Sequence, residues 1–372
     1  MKVLILSCST GGGHNSAAFA VAEEIRAHGD EAVVLDYLRL AGKNVSSIVG
    51  NTYIQIVKKV PLLFGVLYRL GMLVGRLVSK SPVYYVNGKM AKYLEKYLKE
   101  HPVDAIVMPH LYPAETITYM KKHGVNLPLT IAVMTDYTCI PFWEETSCDY
   151  YVIPDVSLKK SICRRGIPEQ KLLSFGIPVS RMFADQSSKQ RARQRLSLDP
   201  DATYILLEGG SMGAGNLPKF TKMLKDMCSD EKIIVVAGKD QKLQQKMKTA
   251  FKHQTDIVIL GFTTQMHLLM RACDLVFTKP GGLTSTEAAV SGIPIVHTNP
   301  IPGCETSNRR FFTSRGMSIS APVRKQQIQK GLELLTRPDQ ISQMLHCQSV
   351  YRHPDAGLRI YHFLKRTLNE EE

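Results

Sequence analysis

The sequence lacks the features that mark several common classes of protein. Its eight cysteines are scattered without a CxxC spacing, which argues against zinc ribbons, thioredoxin-type redox motifs and a compact disulfide framework. No stretch reaches the roughly 18 uninterrupted apolar residues of a membrane-spanning helix. The apolar run behind Met1 is too short for a signal-peptide core. We therefore expect reduced thiols, a cytoplasmic location and no spanning helix.

Acidic residues are scarce relative to basic ones, with 33 Asp and Glu against 47 Lys and Arg and a formal net charge of +14. An excess of this size predicts an anionic partner, namely a phosphate-bearing ligand, an anionic lipid surface or a nucleic acid. The sequence contains no recognisable nucleic-acid-binding module and no interleaved aromatic platform, so no nucleic acid is expected. The length of 372 residues predicts two domains.

Short apolar runs bounded by Gly, Pro or Asp alternate with longer helical patterns. The runs are KVLIL, EAVVLDY, DAIVMP, LTIAVMTD, YYVIPD, TYILLEGGS, KIIVVAGK, DIVILGF, LVFTKPGG, IPIVHT and MSISAP. Fully apolar, β-branched runs separated by helices are typical of parallel strands covered on both faces. The fold class predicted is α/β, with two Rossmann-like, doubly wound domains that face each other across a cleft.

The strand series is interrupted by the polar segment ADQSSKQRARQRLSLDPDA, after which the alternation begins again. We place the domain boundary near Phe183. Residues 1–183 then form the first domain and residues 184–350 the second, and 351–372 form a C-terminal helix that packs back toward the first domain.

The segment from Asn51 to Lys99 departs from this alternation. It mixes aliphatic and aromatic residues with many cations, among them Lys58, Lys59, Arg69 and Arg76. One interpretation is a set of helices that cover the first sheet and turn their lysines to solvent. The other is an interfacial surface that inserts apolar side chains into lipid while its cations meet anionic headgroups.

The stretch STGGGHNS directly follows the first strand and opens a helical pattern. Glycines there allow close approach of a ligand to the free N–H groups of a helix N-terminus. The spacing is neither GxGxxG nor a Walker motif, although Asp36 after the second strand leaves a dinucleotide site as an alternative. His14 sits where a helix dipole lowers its pKa, which suits a general base. The alternative role for His14 is that of a helix cap.

Two further glycine turns follow strands in the second half of the chain, in YILLEGGSMGAGNL and FTKPGGLTSTEAAVSG. Backbone N–H groups of such turns suit a diphosphate. Glu287, one helical turn further on, suits the paired hydroxyls of a ribose. Gly261 and Phe262 follow another strand and offer backbone and a ring to a planar base.

These motifs, together with MTDYTCIPFW and PIPGCETSN, resemble in their order the GT-B glycosyltransferases of the monogalactosyldiacylglycerol synthase and processive diacylglycerol glucosyltransferase group. The lipid II synthase that adds N-acetylglucosamine is a more distant relative. The resemblance covers essentially the whole chain and implies a UDP-hexose donor, a diacylglycerol or other lipid acceptor, and peripheral association with the cytoplasmic face of a membrane.

The resemblance also implies roles for individual residues. The residues implied for the donor are Gly209, Gly210, Ser211, Gly213, Gly261, Phe262, Gly281, Gly282, Leu283, Thr284, Glu287, Cys304, Glu305 and Asn308. Of these, Phe262 faces the uracil, Glu287 the ribose, and Glu305 and Asn308 the hexose. Family members commonly have Gln before this Glu, where this chain has Cys304. A thiol lacks the paired contacts of an amide, so the identity of the hexose stays open.

On the acceptor side the resemblance makes His14 the activating base, with Asp136 in the acceptor cleft. The residues implied for the acceptor and the membrane are Gly12, Gly13, Trp143, Lys58, Lys59, Arg69 and Arg76. Asp136 follows an apolar strand, at the edge where site residues gather; its alternative role is a helix or turn cap.

The reaction expected is a single displacement with inversion at the anomeric carbon, without a metal or other cofactor. The one DxD string, Asp199 to Asp201, falls in a turn. The alternatives are a transferase acting on a polyprenyl diphosphate, a UDP-sugar 2-epimerase and a non-catalytic UDP-sugar sensor. The lipid acceptor, processivity and oligomeric state stay open.

Overall fold

The computed structural model describes residues 1–8, 12–42, 61–77, 79–185, 187–210 and 216–370; within 61–77 the side chains of 61–64, 67 and 75–77 are not described. Among the expected site residues, Lys58, Lys59, Ser211 and Gly213 lie outside these ranges, as does the side chain of Arg76.

The chain divides into two compact units. The first comprises Met1–Ser180, Pro302–Cys304 and His353–Glu372, and the second Arg181–Ile301 and Glu305–Arg352.

The first unit is built on a six-stranded parallel sheet in the order β2-β1-β3-β4-β5-β6. Its strands are β1 (Lys2–Ser7), β2 (Glu31–Asp36), β3 (Ala105–Met108), β4 (Leu129–Val133), β5 (Tyr150–Val152) and β6 (Leu172–Leu173). The helices between them are α1 (Gly12–Ala27), α2 (Pro61–Leu77), α3 (Pro82–Gly88), α4 (Ala91–Glu100), α5 (Leu111–Lys122) and α6 (Lys159–Cys163).

The second unit repeats this design with the order β12-β11-β10-β7-β8-β9. Its strands are β7 (Tyr204–Glu208), β8 (Lys232–Val236), β9 (Ile257–Leu260), β10 (Leu275–Thr278), β11 (Ile295–His297) and β12 (Ile319–Ser320). Its helices are α7 (Lys189–Arg195), α8 (Leu217–Met227), α9 (Gln241–Ala250), α10 (Met266–Ala272), α11 (Gly282–Ser291), α12 (Cys304–Ser314), α13 (Arg324–Leu335) and α14 (Pro338–Tyr351).

The last helix, α15 (Ala356–Glu370), belongs to the first unit and packs against α1. Tyr361 Oη donates a hydrogen bond of 3.1 Å to Asp30 Oδ2, and the rings of Phe363 and Tyr150 meet edge to face at 4.7 Å. Apolar side chains of α15 thereby cover one face of the first sheet.

Each sheet is covered on both faces, which explains the continuous apolar runs of the sequence. Along β1, Leu4 and Leu6 enter one hydrophobic cluster while Val3 and Ile5 enter another on the opposite face. Side chains of successive strand residues point to opposite faces, so a strand buried on both faces has no polar alternation. The predicted α/β class is confirmed, and each apolar run named above contains a strand.

The strand orders place one topological switch point in each sheet. Because β1 lies between β2 and β3, the first sheet changes direction between β1 and β3; the second changes direction between β7 and β10. Ligands of open α/β sheets bind at the carboxyl ends of the strands at such points. The segments that leave β1, β3, β7 and β10 are therefore the places to look for a site.

Candidate functional site

His14 lies at the switch point of the first sheet, in the first turn of α1. Its Nδ1 is 2.8 Å from the carbonyl oxygen of Pro109, which follows β3, and 3.0 Å from Oγ1 of Thr135, which follows β4. A carbonyl oxygen only accepts hydrogen bonds, so Nδ1 carries the proton and donates it to Pro109. The lone pair is therefore on Nε2, and the histidine is held in the tautomer that a general base needs.

The pKa of His14 lies below its ordinary value. Burial is the main cause, opposed by the negative charge of Asp136 and by the hydrogen bond to Pro109. Desolvation thus adds to the effect of the helix dipole, from which a lowered pKa was expected. Either way the imidazole is neutral at pH 7 and able to accept a proton.

Asp136 is half-buried just after β4 and lies within electrostatic range of His14. Burial raises the pKa of Tyr68 on α2, and the negative charge of Asp136 adds to this effect. The helix α2 therefore reaches the same part of the first unit as Asp136 and His14.

A second histidine, His110, lies beside the first. Its ring meets that of His14 edge to face, with 4.5 Å between centroids, and its Nδ1 accepts a hydrogen bond of 3.1 Å from the backbone N–H of Tyr112. Burial and the neighbouring His14 hold the pKa of His110 well below its ordinary value. His110 therefore caps α5 and supports the His14 ring.

Trp143, Gly12 and Gly13 were expected on the acceptor side. Trp143 is only 3% exposed and packs edge to face on Tyr151, so the expectation that its side chain faces the lipid is wrong: the indole belongs to the core. Gly12 and Gly13 are half-buried in the first turn of α1, beside His14 as expected.

The helix α2 has one packed face and one exposed face. A Cβ added at Gly71 would lie 3.2–3.4 Å from Phe142 and Pro141, and Nη1 of Arg165 donates to both Met72 Sδ and the carbonyl of Cys139. On the opposite face, Val66, Leu70 and Leu73 are about half exposed. We call these three residues the α2 apolar stripe; the exposed Arg69 lies next to it.

At the switch point of the second sheet, the two glycine turns differ in how many backbone N–H groups they offer to a ligand. The N–H of Gly209 donates to the carbonyl of Val236, and the N–H of Gly281 donates to the carbonyl of Lys279. Contrary to expectation, neither N–H is therefore available to a ligand. Gly210 adopts φ +69°, which favours glycine. The first N–H groups of α11 are those of Gly282, Leu283 and Thr284. Because the helix starts at Gly282, these groups have no hydrogen-bond acceptor within it.

Phe262 lies on the surface of the second unit. It follows β9 at the carboxyl edge of the sheet, and its ring is 63% exposed. Nζ of Lys239 lies 5.2 Å from the ring centroid. Gly261 beside it faces the amide end of Gln244: an added Cβ would lie 2.7 Å from that side chain, which would have to move aside.

Two buried carboxyl groups, those of Glu208 and Glu287, lie near these turns. Thr278 Oγ1 donates to Glu208 Oε2 at 3.0 Å; burial raises the pKa of Glu208, opposed by this bond and by the charge of Lys279. The pKa of Glu287 lies well above its ordinary value because of burial and the nearby Glu208. Glu287 is thus held toward its neutral form, in which one carboxyl group both donates and accepts hydrogen bonds.

The expected hexose residues differ in accessibility. Asn308, which the resemblance places near the hexose, is fully buried, and its Nδ2 donates to the carbonyl of Pro280 at 3.1 Å. Its side chain supports the glycine turn and is not exposed to a ligand. Glu305 Oε1 lies 3.2 Å from Nζ of Lys279, and its Oε2 accepts from the N–H of Ile301 at 2.6 Å. Cys304 is half-buried at the first residue of α12.

His297, at the end of β11, connects α11 to the residue before β12 through hydrogen bonds. Its Nε2 is 3.0 Å from Ser285 Oγ on α11, and its Nδ1 is 3.0 Å from Ser318 Oγ. The ring is fully buried, and burial lowers its pKa to about 3. His297 is therefore neutral in the folded protein throughout the physiological range.

Replacing His297 with alanine is expected to lower the free energy of unfolding by about 1–3 kcal/mol, because two buried hydroxyls lose their partner. Urea unfolding at pH 7 measures this, with the exposed His346→Ala as control. Since the unfolded histidine titrates near 6.5, His297 stabilises above that pH and the contribution falls by about 1.4 kcal/mol per unit as pH drops toward 3. An equal pH slope in His297→Ala would contradict this account.

Sequence reasoning missed Thr135, Glu208 and Lys279. Each is a polar residue at the last position of an apolar strand or within two residues after it, which is the signal that would have found them. Asp199 of the DxD string precedes β7 and pairs with Lys232 at 3.0 Å, at the amino edge of the sheet. In the described ranges no three His, Cys, Asp or Glu side chains are grouped to hold a metal ion, and no helix in those ranges is long and apolar enough to span a membrane.

Comparison with protein families matches both halves of the chain. Residues 14–179 match the monogalactosyldiacylglycerol (MGDG) synthase family, and residues 204–343 match the glycosyltransferase family 28 C-terminal domain. Similar curated proteins are the processive diacylglycerol beta-glucosyltransferases of Staphylococcus saprophyticus, 26% identical over 99% of this chain and 93% of that protein, and of Bacillus pumilus, 28% identical over 86% and 82%.

Solved structures share the fold at low identity. MurG of Acinetobacter baumannii superposes with a TM-score of 0.63 at 14% identity over 98% of this chain and 99% of that one. The UDP-GlcNAc 2-epimerase of Neisseria meningitidis, determined with UDP-GlcNAc bound, gives 0.66 at 14% identity over 98% and 100%. The predicted GT-B fold is confirmed.

Proposed function

The chain belongs to the GT-B glycosyltransferases that combine an MGDG synthase domain with a family 28 C-terminal domain, and on that premise we propose that it transfers a hexose from a UDP-sugar to diacylglycerol. The relatives named above are diacylglycerol glucosyltransferases, so UDP-glucose is the first donor to test. The nearest alternative acceptor is a polyprenyl diphosphate.

The observation that carries the proposal is the fixed tautomer of His14. With Nδ1–H donated to Pro109, Nε2 is the basic atom and removes the proton from the acceptor hydroxyl. The alkoxide oxygen then forms a bond to the anomeric carbon as the bond from that carbon to the diphosphate oxygen breaks. UDP leaves with the bonding electrons, the configuration inverts, and the proton stays on Nε2.

Asp136 supports this step electrostatically. Its negative charge raises the pKa of His14 against the effect of burial and so stabilises the imidazolium formed when the proton is taken. In the free enzyme burial still dominates, which keeps the base unprotonated before the reaction. The His14 ring is thus neutral before proton transfer, and its charged form is stabilised by Asp136 afterwards.

The departing UDP is stabilised by the second unit. We assign the diphosphate to the first-turn N–H groups of α11, where the helix dipole favours negative charge. Phe262 stacks on the uracil, and Glu287 binds the ribose hydroxyls. Preorganised donors of this kind lower the energy of the developing charge without reorganisation cost, and we propose that no metal ion takes part.

The α2 apolar stripe and the neighbouring cations suit a membrane-bound acceptor. Val66, Leu70 and Leu73 expose aliphatic surface beside Arg69, and Tyr85 and Val86 on α3 are also more than half exposed. Such a combination binds anionic lipid surfaces. We propose peripheral association with the cytoplasmic face, to which the free cysteines of the chain are suited.

The test is a transfer assay with diacylglycerol in vesicles and labelled UDP-glucose, UDP-galactose or UDP-N-acetylglucosamine, with separation of the lipid products. A β-linked hexosyl-diacylglycerol is expected, with further sugars if the enzyme is processive. Product on a polyprenyl diphosphate alone, epimerised donor without acceptor, or binding without turnover would each replace the proposal by the corresponding alternative.

The same assay tests the absence of a metal requirement. We expect the rate to stay within about twofold when excess EDTA is added, because helix N–H groups and a lysine suffice to neutralise the diphosphate. Restoration by Mg²⁺ of an activity that EDTA has abolished would contradict this expectation. A chelated sample without diacylglycerol serves as the blank.

A further inference from the structure

Lys279 stands at the switch point of the second sheet, immediately after the last residue of β10. It is 9% exposed, which is rare for a lysine unless the ammonium group is paired. Its neighbours along the chain are Pro280 and the glycines that open α11, so its position is fixed relative to the first N–H groups of that helix.

The ammonium group lies among acidic side chains and beside the other glycine turn. Nζ is 3.2 Å from Glu305 Oε1, and the charge of Lys279 acts on Glu208. A Cβ added at Gly210 would lie 3.5 Å from Cε and 3.7 Å from Nζ of Lys279. The lysine thus sits against the backbone of one turn and at the entry to the other.

This arrangement is unfavourable for a diphosphate unless the lysine takes part. Glu305 places a carboxylate beside the segment proposed to bind an anion, and an ionised carboxylate repels a diphosphate. A lysine whose stem is packed and whose ammonium is within reach of Gly210 and α11 supplies the opposite charge where both turns converge.

Resting on the proposed UDP-sugar site, we propose that Lys279 is a direct ligand of the donor's diphosphate and that Glu305 is its counter-ion before the donor binds. On donor binding, the ammonium exchanges Glu305 Oε1 for a phosphate oxygen. Glu305 keeps its bond from Ile301 N–H through Oε2, and Oε1 becomes free to accept a hydrogen bond from a hexose hydroxyl. Recognition of the sugar is therefore coupled to that of the diphosphate.

The test is isothermal titration calorimetry of the full chain with UDP, UMP and uridine. In Lys279→Met, which keeps the stem and removes the charge, we expect UDP affinity to fall about 10- to 100-fold, as for loss of a charge-assisted hydrogen bond. Uridine affinity should stay unchanged and UMP should be affected less than UDP. Glu305→Gln, which still accepts from Ile301, should bind UDP at least as tightly as the wild type.

Two further variants separate ligand binding from folding. Lys279→Met combined with Glu305→Gln removes the ion pair as a unit and should bind uridine normally but UDP weakly. Lys225→Met, which removes a lysine of α8 that pairs with Asp256, should bind all three ligands as the wild type does.

Wild-type UDP affinity in Lys279→Met or in the double variant would overturn the inference and leave the proposed function intact. Loss of uridine binding in both would make Lys279 structural and also overturn it. Failure of the wild type to bind UDP would remove the proposed function itself.

Discussion

Replacing His14 with alanine is expected to lower the turnover number for lipid glycosylation by about 10²- to 10⁴-fold, the usual contribution of a general base. The affinity for UDP should remain unchanged, because the imidazole contacts Pro109 and Thr135 of the first unit and the nucleotide is assigned to the second. Transfer kinetics with diacylglycerol vesicles and calorimetry with UDP measure the two quantities separately.

The pH profile gives an independent measure of the same residue. Burial lowers the pKa of His14, so kcat/KM should fall on the acid side only below about pH 6.5, the ordinary value. Asp136 raises the pKa of His14; in Asp136→Asn the acid limb should therefore move to lower pH while kcat decreases, because the imidazolium loses its counter-charge.

A matched control lies directly after the same helix. His28 near the end of α1 stacks on Tyr361 with 4.3 Å between ring centroids, and its Nδ1 bonds to the carbonyl of Glu24, so His28→Ala should leave turnover unchanged. If His14→Ala lost UDP binding along with turnover, the role of His14 would be structural. An unaltered turnover number in that variant would remove it from the chemistry.

The strands were predictable because their environment is simple. A parallel strand buried on both faces needs apolar residues at every position, and this leaves a continuous run that the sequence displays. The exception is β6, in which only Leu172 and Leu173 pair with β5 and which lies in none of the runs named above. The strand order was not predictable from such runs, because a crossover helix connects strands on either side equally well.

The site was predictable only where its chemistry lies in one segment of chain. The helix starts at Gly12 and Gly282 follow from glycine turns after strands. The tautomer of His14 depends on Pro109 and Thr135, which are 95 and 121 residues away, and local patterns carry no information on such partners. Trp143 was assigned to the acceptor side by the resemblance alone, and its burial against Tyr151 is a tertiary contact that the motif does not reveal.

The glycine turns show a further limit of motif reading. From the motif alone, every N–H of a turn is a potential anion ligand. In the structure, the N–H groups of Gly209 and Gly281 donate hydrogen bonds to carbonyl groups of the protein. With two of the expected donors committed, the positive charge of Lys279 gains importance for a diphosphate. The geometry of the turn thus changes the assignment from a purely backbone site to one that includes a cation.

Replacing the α2 apolar stripe by serine, in the triple variant Val66→Ser, Leu70→Ser and Leu73→Ser, is expected to weaken binding to vesicles by about a hundredfold. Each side chain is about half exposed, so insertion into lipid would bury additional apolar surface. The free energy gained is about 1 kcal/mol per residue, or about 3 kcal/mol in all. Co-sedimentation with vesicles that contain anionic lipid measures the loss, and transfer to vesicle-borne diacylglycerol should fall in parallel.

The second unit offers a matched control. Val258, Val323 and Val350 have comparable exposure, and their replacement by serine should leave vesicle binding unchanged. Arg69→Glu tests the electrostatic part: its loss of affinity should shrink as salt is raised, because screening removes the contribution of an exposed charge, whereas the loss in the triple serine variant should persist. Because the stripe lies on the exposed face of α2 and Gly71 on its packed face, UDP affinity should be unaltered throughout. If the control triple weakened vesicle binding as much as the stripe triple, the membrane surface would have to be sought elsewhere on the protein.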